Sequence, residues 1–301
     1  MYKRKMEIGI FGSDYQTGKP EVIRDLFARL EEKRVKVWVE KSLYEYLTLN
    51  FGFTPAIAGL LDQNPHALDM VFSLGGDGTF LRTAAWVARQ NIPILGINSG
   101  HLGFLADVDT LEIAETLDDI FQNKYHLEEK SLLELDLGLA SSRTNIGRYA
   151  LNEIAILKRD TAAMIAVSAS IDGEFLTEYL GDGVLLSTPT GSTAYNLSVN
   201  GPILAPQTKN FVISPVASHS LNVRPLVIPE TSKLRFQVAS RNKNFLISLD
   251  GRSGVFPSGS ELSVQKADFM IKVVKRENQT FYDTLRKKLL WGTDTRNVER
   301  N

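Results

Sequence analysis

Between residues 6 and 123, short apolar runs alternate with segments of helical period. That alternation constrains the fold more than any other feature of the chain. "MEIGIFG" (6–12), "VKVWVE" (35–40), "LDMVFSL" (68–74) and "IPILGIN" (92–98) read as strands. "PEVIRDLFARLEEK" (20–33) repeats Val22, Leu26 and Leu30 at helical spacing, with Pro20 suited to a first turn. "TFLRTAAWVARQ" (79–90) predicts a helix with Leu81, Ala84, Ala85 and Ala88 on one side. "TLEIAETLDDIFQN" (110–123) predicts an acidic amphipathic helix, its first turn favoured by Glu112 and Glu115. Residues 41–66 read as helix and loop. Strands joined through helices need crossover connections, which implies a mainly parallel sheet.

After about residue 126 the texture changes. "SLLELDLGLA", "MIAVSASIDG", "NFLISLDG" and "FMIKVVK" are short, rich in β-formers and separated by turn residues. "TFYDTLRKKLL" (280–290) then returns to helix, with Phe281, Leu285 and Leu289 spaced to dock on one surface. The expected fold class is α/β plus all-β. A Rossmann-like α/β domain takes residues 1–126 with 276–301, its C-terminal helix packing back on it, and a β-rich domain takes 127–275. A length of 301 residues agrees with two domains, at roughly 150 residues each.

Composition removes several function classes. With 34 basic and 35 acidic residues the formal charge is −1, which argues against nucleic acid or an anionic membrane as a main partner. There are no cysteines, so thiolate catalysis, disulfides and cysteine–zinc sites are excluded. The start, "MYKRKMEIGIFG", is basic, but its apolar stretch is too short for a signal-peptide core. No run approaches the roughly 18 apolar residues of a spanning helix. The expected location is the cytoplasm.

"GSDYQTGKP" (12–20) imitates a phosphate loop, but Gly12 and Gly18 have five residues between them and Pro20 stands where a hydroxyl should ligate magnesium. "GGDGTF" likewise lacks the dinucleotide fingerprint. Gly75-Gly76-Asp77-Gly78-Thr79 is more informative. Glycines let backbone approach a ligand closely, and the following helix, starting near Thr79 with its hydroxyl as a cap, aims amides and its positive end at the loop. That suits phosphate oxygens at the carboxyl end of a strand. A carboxylate there is repulsive unless it binds a metal or takes a proton from a nucleophile, and both tasks belong to phosphoryl transfer. The alternative is a tight turn that uses Asp and Gly for geometry alone.

The second domain adds to this. "STPTGSTAYNLSVNGPI" (187–203) offers hydroxyls at Thr190, Ser192, Thr193 and Ser198 for a base edge or sugar, and Tyr195 for stacking. The bland alternative is a polar loop with Tyr195 in the core. "LNEIAI" places Asn152 and Glu153 in an apolar strand, where polar burial is costly. "LGDGVLLS" flanks Asp182 with glycines, which also reads as a hairpin turn, as does "IDG" at 171–173.

Taken together, "LGGDGTFLR", "LNEIAI", "GDGVLLSTPTGSTAYNLSVNGPI" and "SLDGR" resemble the ATP-dependent NAD kinases over essentially the whole chain. The first motif is shared with diacylglycerol and sphingosine kinases and, more loosely, phosphofructokinases; "TPTGSTAYNLSVNGP" is the specific one. The resemblance implies phosphorylation of the adenosine-ribose 2′-hydroxyl of NAD by ATP, giving NADP and ADP. It implies Asp77 as the catalytic carboxylate and Gly78 against the dinucleotide. Asn152 and Glu153 would hold the adenosine part, with Glu153 reaching ribose hydroxyls, and Asp182 would face the nicotinamide end. Thr193, Ala194, Tyr195, Asn196, Leu197 and Ser198 would form the adenine pocket. Arg82 would meet phosphate, its alternative being a solvated helix arginine, and Arg252 would approach the ligand. Magnesium is expected with ATP because it neutralises the transferred phosphate, and a homo-oligomer, dimer or tetramer, is expected. A lipid kinase on the same fold and a non-catalytic dinucleotide sensor are the alternatives; the hydroxyl-rich loop disfavours the first and Asp77 the second. The chain departs from many bacterial relatives at Leu180, where they carry arginine. Lys158 and Arg159 read as surface charges. His101 reads as lying near the site, and His66, His126 and His219 as structural or exposed.

Overall fold

The computed structural model describes residues 5–12, 20–61, 67–100, 103–138, 146–159, 163–277 and 279–292. Lys19 with most of its loop, His66, His101 and residues 160–162 lie outside the described residues. The chain divides into two units, Met1–Glu129 with Ile271–Asn301, and Lys130–Met270.

In the first unit, β1 (Glu7–Gly12) pairs in parallel with both β2 (Lys36–Glu40) and β4 (Met70–Leu74). Outward from β2 comes β3 (Gly59–Leu61), and outward from β4 comes β5 (Ile94–Asn98), all parallel. The short β6 (Val108–Asp109) pairs with β5. Strands β4 and β5 are buried at every position, which is why they read as unbroken apolar runs rather than alternating ones. The chain runs from β1 through β2 to β3 on one side and returns to β4 and β5 on the other. The order therefore reverses between β1 and β4, and open parallel sheets bind ligands at the carboxyl ends of such strands.

Helix α1 (Pro20–Glu32) buries Ile23, Leu26, Phe27 and Leu30, with Val22 at the edge of that stripe. Helix α2 (Lys41–Phe51) ends at Gly52, whose φ of 56° is the left-handed conformation glycine adopts freely. The segment expected as loop after it contains β3. Helix α3 (Asp77–Val87) begins two residues before the expected start and has Gly76 as its cap, so Thr79 does not cap it. Its buried face is Thr79, Phe80, Thr83, Ala84 and Val87. The expected stripe through Leu81, Ala85 and Ala88 is therefore rotated: Phe80, the largest apolar side chain in the turn, takes the core, and Ala85 is exposed. Helix α4 (Ile113–Phe121) follows a short 3₁₀ turn closed by a capping box between Asp109 and Glu112. At the C-terminal end, α6 (Phe281–Leu289) lies in the first unit, as expected, and buries Thr284 and Leu285, with Phe281 and Leu289 half-buried.

The second unit is built from antiparallel pairs. Strands β7 (Tyr125–Asp136) and β8 (Tyr149–Ala150) pair with each other. One sheet runs β14 (Leu226–Pro229), β13 (Asn210–Val216), β12 (Gly183–Ser187), β9 (Glu153–Lys158), β16 (Asn244–Leu249), β17 (Arg252–Pro257). Another contains β11 (Glu174–Gly181), β10 (Ile165–Ile171), β15 (Leu234–Ser240) and the first part of β18 (Glu261–Arg276). Alternate residues of these sheets, among them Val167, Phe211, Phe236, Phe245 and Ile247, form one apolar core. A four-residue α5 (Tyr195–Ser198) interrupts the loop after β12. The "IDG" turn joins β10 to β11 with Asp172 and Gly173 both at positive φ, the geometry of a tight two-residue hairpin. "LGDG" is not a hairpin: at Asp182 the chain leaves one sheet and enters the other. Among the described residues no helix is long and apolar enough to cross a membrane.

That change of sheet depends on Gly183. A Cβ there would lie 2.1 Å from the Ile156 carbonyl oxygen, on the backbone of the neighbouring strand. Gly183→Ala is expected to destabilise the protein by about 2 kcal/mol or more, read as a lowered unfolding midpoint. An unchanged midpoint would show that β9 and β12 are not packed this tightly.

Candidate active site

At the carboxyl end of β4, Gly75 has φ of 152°, and a Cβ on it would meet the Thr79 hydroxyl at 2.4 Å. Thr79 is thus the floor of the turn. Gly76 and Gly78 are exposed, with open space where side chains would be. The backbone at the start of α3 is therefore bare, and the first turn of a helix presents amides without intrahelical partners.

The carboxylate of Asp77 turns away from the helix axis towards the segment after β5. Its Oδ2 accepts the Phe104 amide at 3.0 Å, and its Oδ1 accepts the amides of Leu105 and Ala106 at 3.0 and 3.1 Å. Three consecutive amides thus form a nest around one anion. Gly103 makes room for it: a Cβ there would stand 1.9 Å from Oδ1. Lys288 of α6 places Nζ 3.4 Å from Oδ2. Arg82, one turn further along α3, donates to the Gly12 carbonyl at the end of β1 and pairs with Glu40 at the end of β2, 3.3 Å away. It lies at the strand ends, and part of its charge is already matched.

In the second unit the key carboxylate was not singled out from sequence. Asp250, half-buried, accepts the amides of Leu151, Asn152 and Glu153 at 2.7, 2.9 and 3.0 Å. It also begins the tight turn between β16 and β17, with Asp250 and Gly251 both at positive φ. The available signal was the "DG" pair between two alternating strands. Burial pushes its carboxyl up, opposed by the three amides and by Arg252. Arg252 itself donates to the carbonyls of Tyr149 and Leu249, so its guanidinium is largely spent on scaffold.

This anchoring fixes Asn152 and Glu153. Thr188 accepts no freedom there: its amide donates to the Asn152 carbonyl and its hydroxyl to that of Leu151, at 2.9 and 2.6 Å. Gly191 packs so close that a Cβ would lie 2.1 Å from the Asn152 carbonyl oxygen. The hydroxyl loop and the Asn-Glu pair therefore meet. Two buried oxygens, Asn152 Oδ1 and Glu153 Oε2, have no hydrogen-bond partner within the chain. Burial, and secondarily the charge of Asp250, push the Glu153 carboxyl up to about 8, against the pull of the Tyr195 amide.

The loop's side chains divide into two sets. Ser192 is fully buried; its hydroxyl donates to the Pro189 carbonyl and accepts the Leu204 amide, so it is not available to read a base. Asn196, also fully buried, donates to the carbonyls of Ser192 and Pro202 and accepts the Ser214 hydroxyl. It holds the loop's shape. Tyr195 and Ser198 are exposed, and Thr193, Ala194 and Leu197 are half-buried, so Tyr195 is no core residue. Asp182 pairs with Lys158 at 2.6 Å, so Lys158 is not an idle surface charge. His126 and His219 are exposed. Among the described residues no three His, Cys, Asp or Glu side chains gather to hold a metal ion.

Comparison with known proteins bears on both units. The model described as "ATP-NAD kinase N-terminal domain" matches residues 8–125, and "ATP-NAD kinase C-terminal domain" matches residues 151–276. A curated NAD kinase of Bacteroides fragilis is 47% identical over 294 residues, covering 97% of this chain and 100% of the relative. One from Porphyromonas gingivalis is 42% identical over 290 residues, covering 96% and 99%. Among solved structures, yeast NADH kinase complexed with NADH is similar with a TM-score of 0.87 and 25% identity, over 97% of this chain and 89% of that one. An Archaeoglobus fulgidus NAD kinase in complex with ATP shares the fold, with a TM-score of 0.72 and 24% identity over 95% and 99%.

The environment of Glu153 gives a measurable pH signature. Its proton is held up to about pH 8 in the folded chain and released near its ordinary value, about 4.3, in the unfolded one. Between those values the folded state binds more protons, so this residue's contribution to stability falls as pH rises. Glu153→Gln is expected to remove that decline, gaining on the parent protein from pH 5 to pH 8 in denaturant titrations. Parallel stability curves would refute the assigned environment.

Proposed function

This chain belongs to the ATP-NAD kinase family, and from that premise we propose how it carries the γ-phosphoryl group of ATP to NAD. The acceptor is the 2′-hydroxyl of the adenosine ribose, and the products are NADP and ADP. Asp77 takes the hydroxyl proton, the ribose oxygen bonds to the γ-phosphorus, and the bond to the β–γ bridging oxygen breaks with ADP as leaving group. The observation that carries this assignment is the Asp77 carboxylate, pinned by three backbone amides and flanked by exposed Gly76 and Gly78. A base held by main chain keeps its aim without loss of side-chain freedom at each turnover. The bare amides around it suit phosphate oxygens, with Gly78 against the dinucleotide and Arg82 towards phosphate.

Adenosine is assigned to the second unit. Asn152 Oδ1 and Glu153 Oε2 are buried and unpartnered, and a bound ribose supplies hydroxyls that both donate and accept. This makes either protonation state of Glu153 serviceable. Tyr195, with Thr193, Ala194, Leu197 and Ser198, lines the adenine pocket, while Asn196 shapes it. Asp182, braced by Lys158, faces the nicotinamide end, and Arg252 approaches the ligand only through the turn it stiffens.

Magnesium enters with ATP. With no cluster of three metal-ligating side chains among the described residues, the ion would be held mainly by phosphate oxygens and water, the usual habit of this cation. It would neutralise charge on the transferred group. A homo-oligomer, dimer or tetramer, is part of the same proposal; Leu226 and Val227 are exposed on β14, an edge strand.

Asp77→Asn is expected to lower kcat by about a hundredfold or more while NAD affinity changes less than about threefold. NADP formation from ATP, magnesium and NAD measures the first, and calorimetric titration with NAD the second. Near-parental turnover would remove Asp77 from its role; loss of NAD binding would make it a binding residue instead.

A further inference from the structure

The last turn of α6 carries Arg286, Lys287 and Lys288, placed where a helix C-terminus favours cations. Lys288 does more than meet that preference. Its Nζ lies 3.4 Å from Asp77 Oδ2 and 4.6 Å from the centre of the Phe104 ring. Phe104 is the residue whose amide donates to the same Oδ2, and its ring also packs against Phe281, the first residue of α6. The helix is thus fastened to the Asp77 loop at both its ends. Nearby charges have other partners: Arg82 pairs with Glu40, Lys275 with Asp107, and Arg286 with Asp283.

A carboxylate offers about four acceptor positions. Asp77 fills three with the amides of Phe104, Leu105 and Ala106, and Lys288 takes the fourth. The three amides belong to one tight segment and cannot leave singly. The lysine can, because its side chain is partly exposed and such ion pairs are weak. The corner that a substrate hydroxyl needs is therefore the one that the ammonium holds.

We propose that Lys288 is a positioning residue for phosphoryl transfer. It keeps the open corner of Asp77 correctly turned, and yields it to the incoming hydroxyl. The ring of Phe104 then retains the displaced ammonium beside the carboxylate that receives the proton. This rests on Asp77 being the base.

The test uses the full chain with ATP, magnesium and NAD. Lys288→Met removes the charge at similar length, Lys288→Arg keeps it, and Phe104→Leu removes the ring but not the amide. Lys288→Met is expected to lower kcat by about tenfold or more with KM for NAD and ATP within about threefold, and Lys288→Arg to restore most of kcat. Phe104→Leu should lower kcat less, and add little when combined with Lys288→Met, because both act through one ammonium. Unchanged kcat in Lys288→Met beside an inactive Asp77→Asn would overturn the lysine's role alone. Active Asp77→Asn would overturn both readings. A loss in Lys288→Met that arginine does not restore, matched by a lower unfolding midpoint, would make the contact merely structural; Lys288→Gln repeats the comparison should the methionine variant fail to fold.

Discussion

Three consecutive backbone amides closing on one carboxylate is the interaction on which the candidate site residues of each unit depend. It occurs twice, at Asp77 with residues 104–106 and at Asp250 with residues 151–153. Hydrogen bonds to an ionised acceptor are short and roughly twice as strong as neutral ones. Main-chain donors add no rotamer entropy to the cost. Each nest also joins segments far apart in sequence: the start of α3 to the end of β5, and the start of β9 to the β16–β17 turn. Removing either carboxylate would leave three amides facing each other, with a penalty of about 1–3 kcal/mol for each donor left unsatisfied.

The two nests differ in what remains open, and that difference separates their work. Asp77 keeps one corner held only by a partly exposed lysine, and the glycines beside it leave room for a ligand. Asp250 is half-buried, and its carboxylate is taken up by the three amides. Its influence passes through the residues it anchors: it fixes the backbone of Asn152 and Glu153, and its charge raises the Glu153 carboxyl further. Two carboxylates this close in a buried setting favour retention of a proton by one of them. At Glu153 burial is the larger cause, and it holds the carboxyl up to about 8.

Much of the architecture was legible because it rests on local pattern. Strand and helix alternation, the glycine turn after β4, the hairpin at Asp172-Gly173 and the C-terminal helix all follow from spacing and turn chemistry. The rotated face of α3 shows the limit: small residues at helical spacing do not outweigh one phenylalanine. The site's supports were less legible still. Lys288 meets Asp77 across 211 positions and Asp250 meets Asn152 across 98, and neither pairing leaves a mark in local composition. Hydroxyl and amide side chains are ambiguous for a further reason. Ser192 and Asn196 look like ligand-reading groups, yet a loop that is to hold a ligand must first satisfy its own buried backbone, and these residues do so.

The sheet itself points to the same place without any reference to motif. Strands β1 and β4 are neighbours, yet the chain leaves β1 in one direction and β4 in the other. No crossover helix can cover the gap between their carboxyl ends, so a crevice persists there for geometric reasons. Gly12 ends β1, Leu74 ends β4, and the Asp77 loop starts immediately after. Arg82 reaches back to the Gly12 carbonyl and to Glu40 of β2, tying α3 across the reversal. A carboxylate placed by chance in that crevice would be hydrated and mobile. Here the backbone of the next loop grips it and a lysine covers its one open corner. The topology thus supplies the position, and the amide nest converts that position into a fixed direction for the carboxylate.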